Sequence, residues 1–263
     1  MKILLLTHSW PDETIKWRGL FIKDQAMAIG ISHEIIVVFF RTDYSRLAPF
    51  SPYSFSKKED GNVTVYEITT TRSFPVINQL KYLRDTFRFI RKEILSKHKI
   101  DVIHSQLSYP AGFLGTLTAK KTGIPCVITE HSWVHKYFRS PVHRFCVRYA
   151  LKNCNSIVAV SHALGNDIFQ NCRRQVKVIP NVVNIDRFHT VKTPQTGGGF
   201  NIGILGGMGN YRKGLDILIR ALPLLEDIDL TVHIGGDGVL LETFRNLAGE
   251  LNVEYKCIFY GEI

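Results

Sequence analysis

The sequence predicts a doubly wound α/β protein, and three observations carry that prediction. Short apolar, β-branched runs recur at residues 2–7, 34–40, 101–105, 126–129, 156–160 and 176–179. Each is nearly continuous rather than alternating, as a strand buried on both faces of a parallel sheet must be. Helical stretches separate most of them, at 20–29, 79–98, 109–121, 142–153 and 163–170. Strand and helix taking turns in this way call for a parallel sheet covered on both sides. The junctions also read correctly, since Gly123-Ile124-Pro125 supplies the glycine that ends a helix and the proline that stops it.

Taken in order, the elements fall into two groups. The N-terminal run Lys2-Ile3-Leu4-Leu5-Leu6 carries one charge, and Pro11-Asp12-Glu13 follows where a signal peptide would need small residues at a cleavage site. It therefore reads as the first strand. Residues 1–185 complete one doubly wound domain. The polar, Pro/Gly-rich stretch within 186–199 then reads as a linker. Residues 200–263 restart the alternation with strand 200–205, helix 214–225, strand 229–234, helix 239–251 and strand 256–260. Three strands and two helices make half of a second such domain, so this region is expected to be an incomplete copy of the fold, with one sheet edge unpaired.

Composition bounds the function. At 263 residues, 45% hydrophobic and 21% charged, the chain is an ordinary globular sequence, and no stretch is long and apolar enough to span a bilayer. Its five cysteines are odd in number and lack CxxC spacing, so they are expected as reduced thiols in a cytoplasmic protein rather than as zinc ligands or disulfides. The net charge of +10 is uneven: residues 1–185 hold 26 Lys and Arg against 13 Asp and Glu, whereas 186–263 hold 7 against 10. A basic first domain suits an anionic membrane surface or an acidic glycan, and the helix at 79–98 has an apolar stripe and a basic face. No nucleic-acid-binding motif accompanies the charge, so nucleic acid is not expected as a partner.

Open α/β sheets bind ligands beyond the C-terminal ends of their strands, and four strand ends stand out. After the first strand comes Trp17-Arg18-Gly19, where Gly19 either admits a phosphate or sugar to the backbone or simply enters a helix. After the strand at 126–129 comes Glu130-His131-Ser132, placed either for substrate contacts or for local capping. Gly206-Gly207-Met208-Gly209 through Arg212-Lys213-Gly214 has the glycines and cations that suit a diphosphate, and reads otherwise as a flexible turn with solvated cations. Gly235-Gly236-Asp237-Gly238 is either a tight turn with a capping aspartate or the floor of a nucleotide pocket.

These stretches in order resemble the family 4 glycosyltransferases of the GT-B fold. Trp17-Arg18-Gly19-Leu20-Phe21, Val160-Ser161-His162-Ala163, Pro180-Asn181-Val182, Gly206 through Lys213-Gly214 and Gly235-Gly236-Asp237-Gly238 carry the resemblance across essentially the whole chain. It implies two Rossmann-like domains, an acceptor bound mainly to the first and a nucleotide-sugar to the second, and transfer with retention and without a metal. It also implies His131 and Lys213 as catalytic residues, the first on the transferred sugar and the second on the departing diphosphate. Gly19, Gly206, Gly207, Arg212, Gly236 and Asp237 are then expected around the donor phosphates, with Trp17, Arg18 and Glu130 on the acceptor side. Gly207 stands where many members carry an arginine, and Arg212 is the candidate to replace it. The family's paired glutamates, seven residues apart, fall beyond the strand at 256–260. The 263-residue polypeptide is thus expected to be a truncated and nearly inactive transferase, peripheral on the cytoplasmic side of a membrane. The competing expectations are a non-catalytic glycan- or membrane-binding module and a nucleotide-sugar epimerase.

Overall fold

A computed structural model describes residues 1–185 and 199–263 apart from 14, 16, 49 and 74. The chain divides into two compact units, Met1–His189 and Thr190–Ile263. Except for Gly199, the stretch expected to act as a linker lies outside the described residues.

The first unit is built on an eight-stranded sheet. Its strands are β1 (Lys2–Thr7), β2 (Glu34–Leu47), β3 (Ser54–Asp60), β4 (Val63–Arg72), β5 (Val102–Gln106), β6 (Cys126–Glu130), β7 (Ser156–Ala159) and β8 (Lys177–Val178), in the spatial order β3-β4-β2-β1-β5-β6-β7-β8. All neighbours are parallel except β3 and β4. Alternate residues of β1 and β2 enter two different cores. Leu5, Val37 and Phe39 pack with Ile22 and Ala26 of α1 (Leu20–Gly30), while Leu4, Leu6, Val38 and Phe40 pack with Phe89, Ile90 and Leu114 on the opposite face. Both faces are covered, which is why these strands lack polar alternation.

The hairpin β3-β4 is an addition to the sequence-based prediction. β3 is exposed at every position, and β4 alternates, so neither shows the continuous apolar signature of an inner strand. Gly61, with φ of 58°, makes the turn. The helices differ in detail as well. The helix expected over 79–98 is α2 (Pro75–Phe89) followed by a π-helical turn, Ile90–Leu95, and its Lys81 is buried in an ion pair with Asp85 at 3.0 Å. Part of its basic face is thus internal. The helix expected from 109 begins later, as α3 (Phe113–Thr122), because Tyr109 is extended. Helices α4 (Pro141–Asn153) and α5 (His162–Cys172) start at serine caps, Ser140 and Ser161, whose hydroxyls accept from the amides of His143 and Leu164.

The second unit holds three parallel strands in the order β11-β10-β9: β9 (Phe200–Leu205), β10 (Leu230–Gly235) and β11 (Cys257–Gly261). Helices α6 (Leu215–Ala221) and α7 (Leu241–Glu250) close one core through Ile219, Leu222, Val232, Ile234 and Phe244. α6 is shorter than the stretch 214–225 because Pro223 turns its end into a 3-10 segment, Leu222–Leu225. Buried Lys256 donates its ammonium to the carbonyls of Leu225, Glu226 and Ile228 at 2.9, 3.3 and 2.8 Å. This lysine helps to satisfy the carbonyls at that helix end.

Candidate functional site

Strand order fixes where the first unit can bind a ligand. The chain runs outward from β1 to β2 on one side and then returns to β5 on the other, so the sheet reverses between β1 and β5. Helices leave opposite faces there, opening a crevice at the strand ends. The loop after β1, the residue after β6 and the start of α1 all lie at that end.

Gly19 caps α1 at φ 66°, and a Cβ on it would lie 2.5 Å from the Ser9 carbonyl oxygen. The missing side chain therefore serves packing of the α1 entrance against the β1 loop. A cleft of about 590 Å³ opens beside this loop, lined by His8, Arg18, Arg41, Thr42, Tyr82 and Tyr109 among others. Arg18 and Arg41 both reach Asp12, at 2.9 and 3.4 Å, and Arg41 also pairs with Glu67 at 2.9 Å. Their charges are largely balanced, so the cleft offers hydrogen bonds more than net positive potential. His8 is held neutral, its pKa lowered to about 4 by burial and then by the Arg18 cation. Nδ1 of His8 and Nε of Arg18 are buried without partners among the described residues. Trp17, beside Arg18, is exposed.

At the ends of β5 and β6 the register pairs Gln106 with Thr129. Residues two apart share a face, so His104 and Gln106 line up with Thr129 and His131. His131 Nε2 lies 2.7 Å from Gln106 Oε1, Gln106 Nε2 donates to Gln25 Oε1 at 2.7 Å, and His104 Nε2 is 2.8 Å from Thr129 Oγ1. Phe21 of α1 packs on the His131 ring with centroids 4.6 Å apart. Burial lowers the His131 pKa to about 4, with nearby His104 contributing, so the ring is neutral at physiological pH.

Glu130 corrects the sequence reading. It was expected to face an acceptor, but its side chain is fully buried. One carboxylate oxygen accepts from the Ser108 amide at 2.8 Å and from the Ser108 hydroxyl; the other accepts from the amides of His131 and Ser132 at 3.0 and 2.9 Å. Burial pushes its carboxyl pKa up against the pull of those donors. Glu130 thus holds the backbone of the His131 turn in place and has no surface to offer a ligand. Farther along, Asp167 of α5 accepts from the Val134 amide at 2.6 Å and meets His135 Nδ1 at 2.8 Å, tying down the segment that follows.

In the second unit the two glycine turns dock on each other. A Cβ on Gly236 (φ 133°) would lie 2.1 Å from the Gly206 carbonyl oxygen, and one on Gly238 (φ 153°) 2.5 Å from the Met208 carbonyl carbon. The amides of Gly206 and Met208 donate across to the carbonyls of Gly235 and Asp237, at 3.1 and 2.9 Å. Gly236 and Gly238 are thus required by turn-to-turn packing, while Gly207 has open space around it. Asp237 is exposed and caps its own turn, its Oδ1 accepting from the Gly238 amide at 2.6 Å. Lys213 runs along Gly206, its Cε 3.0 Å from where a Cβ would sit. Arg212 donates from Nε to Asn210 Oδ1 at 3.2 Å. Both cations sit on a separate 3-10 turn, Tyr211–Lys213, because Gly214 at φ 71° breaks the path into α6. Exposed Lys213 therefore lies beside the turn of Gly206 and exposed Gly207, while Arg212 is hydrogen-bonded to Asn210.

Gln106 and Gln25 were missed by motif reading. Their signal was available: a His-x-Gln pair and a Thr-x-His pair are polar intrusions on one face of otherwise apolar strands.

A doubly wound first unit with polar strand ends, followed by parallel strands with glycine turns and an exposed lysine, defines a protein of two Rossmann-like units. The sequence matches Glycosyltransferase Family 4 over residues 32–187, more than half the chain, and the protein belongs to that family. It is 29% identical to an uncharacterized glycosyltransferase of Methanocaldococcus jannaschii over 77% of this chain and 54% of that protein. It is 26% identical to the UDP-Gal:alpha-D-GlcNAc-diphosphoundecaprenol alpha-1,3-galactosyltransferase of Escherichia coli over 50% of this chain and 37% of the relative. The chain spans about half the length of the first of these relatives and less of the second. Among solved structures, Anabaena HepE in complex with UDP superimposes with a TM-score of 0.69 over all of this chain and 70% of its own, at 18% identity. This likeness establishes the GT-B fold class.

Proposed function

We propose that the protein moves a sugar from a nucleotide-diphosphate donor to a glycan or lipid-linked acceptor, with retention at the anomeric carbon. The observation that carries this reading is the charge-balanced polar cleft at the sheet reversal of a family 4 chain. Its hydroxyls, amides and tyrosines suit a polyhydroxyl acceptor. Residues 1–185 hold the acceptor and the His131 side of the reaction; residues 200–263 open the donor domain, where Lys213 meets the diphosphate. The UDP in the HepE complex and the lipid diphosphate in the name of the Escherichia coli relative support a nucleotide-sugar and a lipid-linked acceptor. Work on such an acceptor places the protein peripherally on the cytoplasmic side of a membrane. No helix among the described residues is long and apolar enough to cross one.

The His131 ring, neutral and held under Phe21, positions the transferred sugar. The Lys213 ammonium offsets the negative charge that grows on the diphosphate as the glycosidic bond breaks, a contribution that rises toward the transition state. No metal is required in this scheme, and EDTA should leave turnover unchanged.

The test is donor titration with a panel of nucleoside diphosphates, followed by amide shifts of residues 206–214. A nucleoside diphosphate should move Gly207 and Lys213, and Lys213→Ala should weaken it about 10-fold or more. Retention is tested by transfer to an acceptor, with the anomeric configuration of the product read by proton NMR. If the protein binds no nucleoside diphosphate, the transferase reading fails and a glycan- or membrane-binding module takes its place.

A further inference from the structure

We infer that Gln106, oriented by Gln25, locks His131 as the Nε2–H tautomer, so that its Nδ1 is a bare acceptor reserved for a hydroxyl of the bound sugar. The inference rests on the assignment of His131 to the sugar and adds the two residues that decide what its ring can do there.

The Gln106 carboxamide has one donating end and one accepting end. Gln106 is fully buried, and its nitrogen donates to Gln25 Oε1 at 2.7 Å, with His104 Nε2 on the same side at 3.4 Å. Its oxygen is therefore the end that faces His131, 2.7 Å from Nε2. An oxygen can only accept, so His131 Nε2 carries the proton. A neutral imidazole protonated at Nε2 has a lone pair at Nδ1. That atom is buried and without a partner among the described residues. An acceptor left buried in this state is unfavourable, and a ligand donor removes that cost.

The alternative protonation states are closed off by the surroundings. An imidazolium would need a carboxylate beside it, and the adjacent one, Glu130, gives both oxygens to Ser108 and to the backbone amides of His131 and Ser132. The neighbours from β5 and α1, His104, Gln106, Gln25 and Phe21, bring no negative charge. A phosphate oxygen would face the Nδ1 lone pair, acceptor to acceptor. The ligand atom at His131 is therefore a neutral donor, a sugar hydroxyl, and the diphosphate is left to Lys213. Gln106 and Gln25 act through the ring and are positioning residues.

Long-range 15N–1H correlation of the ¹⁵N-histidine-labelled protein tests this. The wild type should show His131 as the Nε2–H tautomer across pH 5 to 8. Gln25→Met, which removes the hydrogen-bond partner of the Gln106 amide, should let that amide turn and produce a tautomer mixture. Gln106→Glu should place a carboxylate on Nε2 and raise the His131 titration by about one unit or more. Should buried position 106 refuse the change, the wild-type spectrum and half-buried Gln25 still decide the matter. A wild-type Nδ1–H tautomer or an imidazolium at pH 7 would overturn the inference, as would a Gln25→Met tautomer identical to wild type. Adding a nucleotide-sugar separates the two layers. A shift of Nδ1 supports both, while the wrong tautomer in a protein that still binds the sugar nucleotide sinks this inference alone.

Discussion

The two units solve the same problem, presenting groups at the ends of parallel strands, with opposite materials. In the first unit the strand ends are built from side chains: Gln106, His131 and Glu130 are buried or half-buried polar groups that orient one another through a hydrogen-bonded set. In the second, the ends are built from backbone, and Gly206, Gly236 and Gly238 matter for the Cβ atoms they lack. A side-chain site can choose tautomers and charge states, so it discriminates among hydroxyl-bearing ligands. In the second unit's turns the amides of Gly206, Met208, Gly236 and Gly238 are spent on hydrogen bonds within the unit, which leaves the exposed Lys213 ammonium and the open Gly207 backbone as the groups on offer. The contrast fits the proposed division between recognition of sugar hydroxyls at His131 and of the diphosphate at Lys213.

Acid should break the first unit's arrangement with the largest effect. His8, His104 and His131 each have pKa values lowered to about 4 by burial, so they stay neutral in the fold while the unfolded chain takes up protons below about pH 6.5. Stability is therefore full above that value and falls as pH drops from 6.5 toward 4, by about 3 kcal/mol for each imidazole. Glu130, whose carboxyl is pushed up, works in the opposite sense and reduces the sum. Urea denaturation at a series of pH values, with proton uptake on unfolding, measures it; a flat profile from pH 7 to 4 would show that the three rings are not buried as described.

Next in size is Gly236→Ala, which sets a methyl group against the Gly206 carbonyl at a backbone angle unsuited to alanine. It should destabilise the second unit by about 3 kcal/mol or more and leave first-unit amides protected in hydrogen exchange. The matching change in the same pair of turns, Gly207→Ala, meets open space and should stay within about 0.5 kcal/mol. Equal effects at the two positions would erase the claim that turn docking, rather than ligand approach, demands the glycine. Between these lies Ser161→Ala, which removes the hydroxyl cap from the Leu164 amide and should cost about 1 kcal/mol by thermal denaturation. Smallest is Arg212→Ala: its guanidinium is spent on Asn210, so nucleoside diphosphate affinity should change far less than with Lys213→Ala.

Much of this was legible in the residues. Continuous apolar runs located the inner strands of the first sheet, because burial on both faces leaves no room for alternation. The hairpin β3-β4 escaped because an edge ribbon is held by its neighbour's backbone and carries little apolar signal of its own. Glu130 was misread for a related reason. A carboxylate at a strand end looks the same in sequence whether it faces solvent or three backbone amides and a hydroxyl.

By itself, the sequence determined the alternation of strand and helix, the position of His131 and Lys213 at strand ends, and the glycines at the turns. These follow from local periodicity and backbone freedom, which a chain carries within a few residues. Only the tertiary structure decided what those residues do. Gln106 meets His131 across 25 positions and Gln25 across 81, and the second glycine turn needs its shape because the first lies against it. Which donor meets which acceptor depends on strand register and helix docking, and those are set by packing over the whole core rather than by any neighbouring residue.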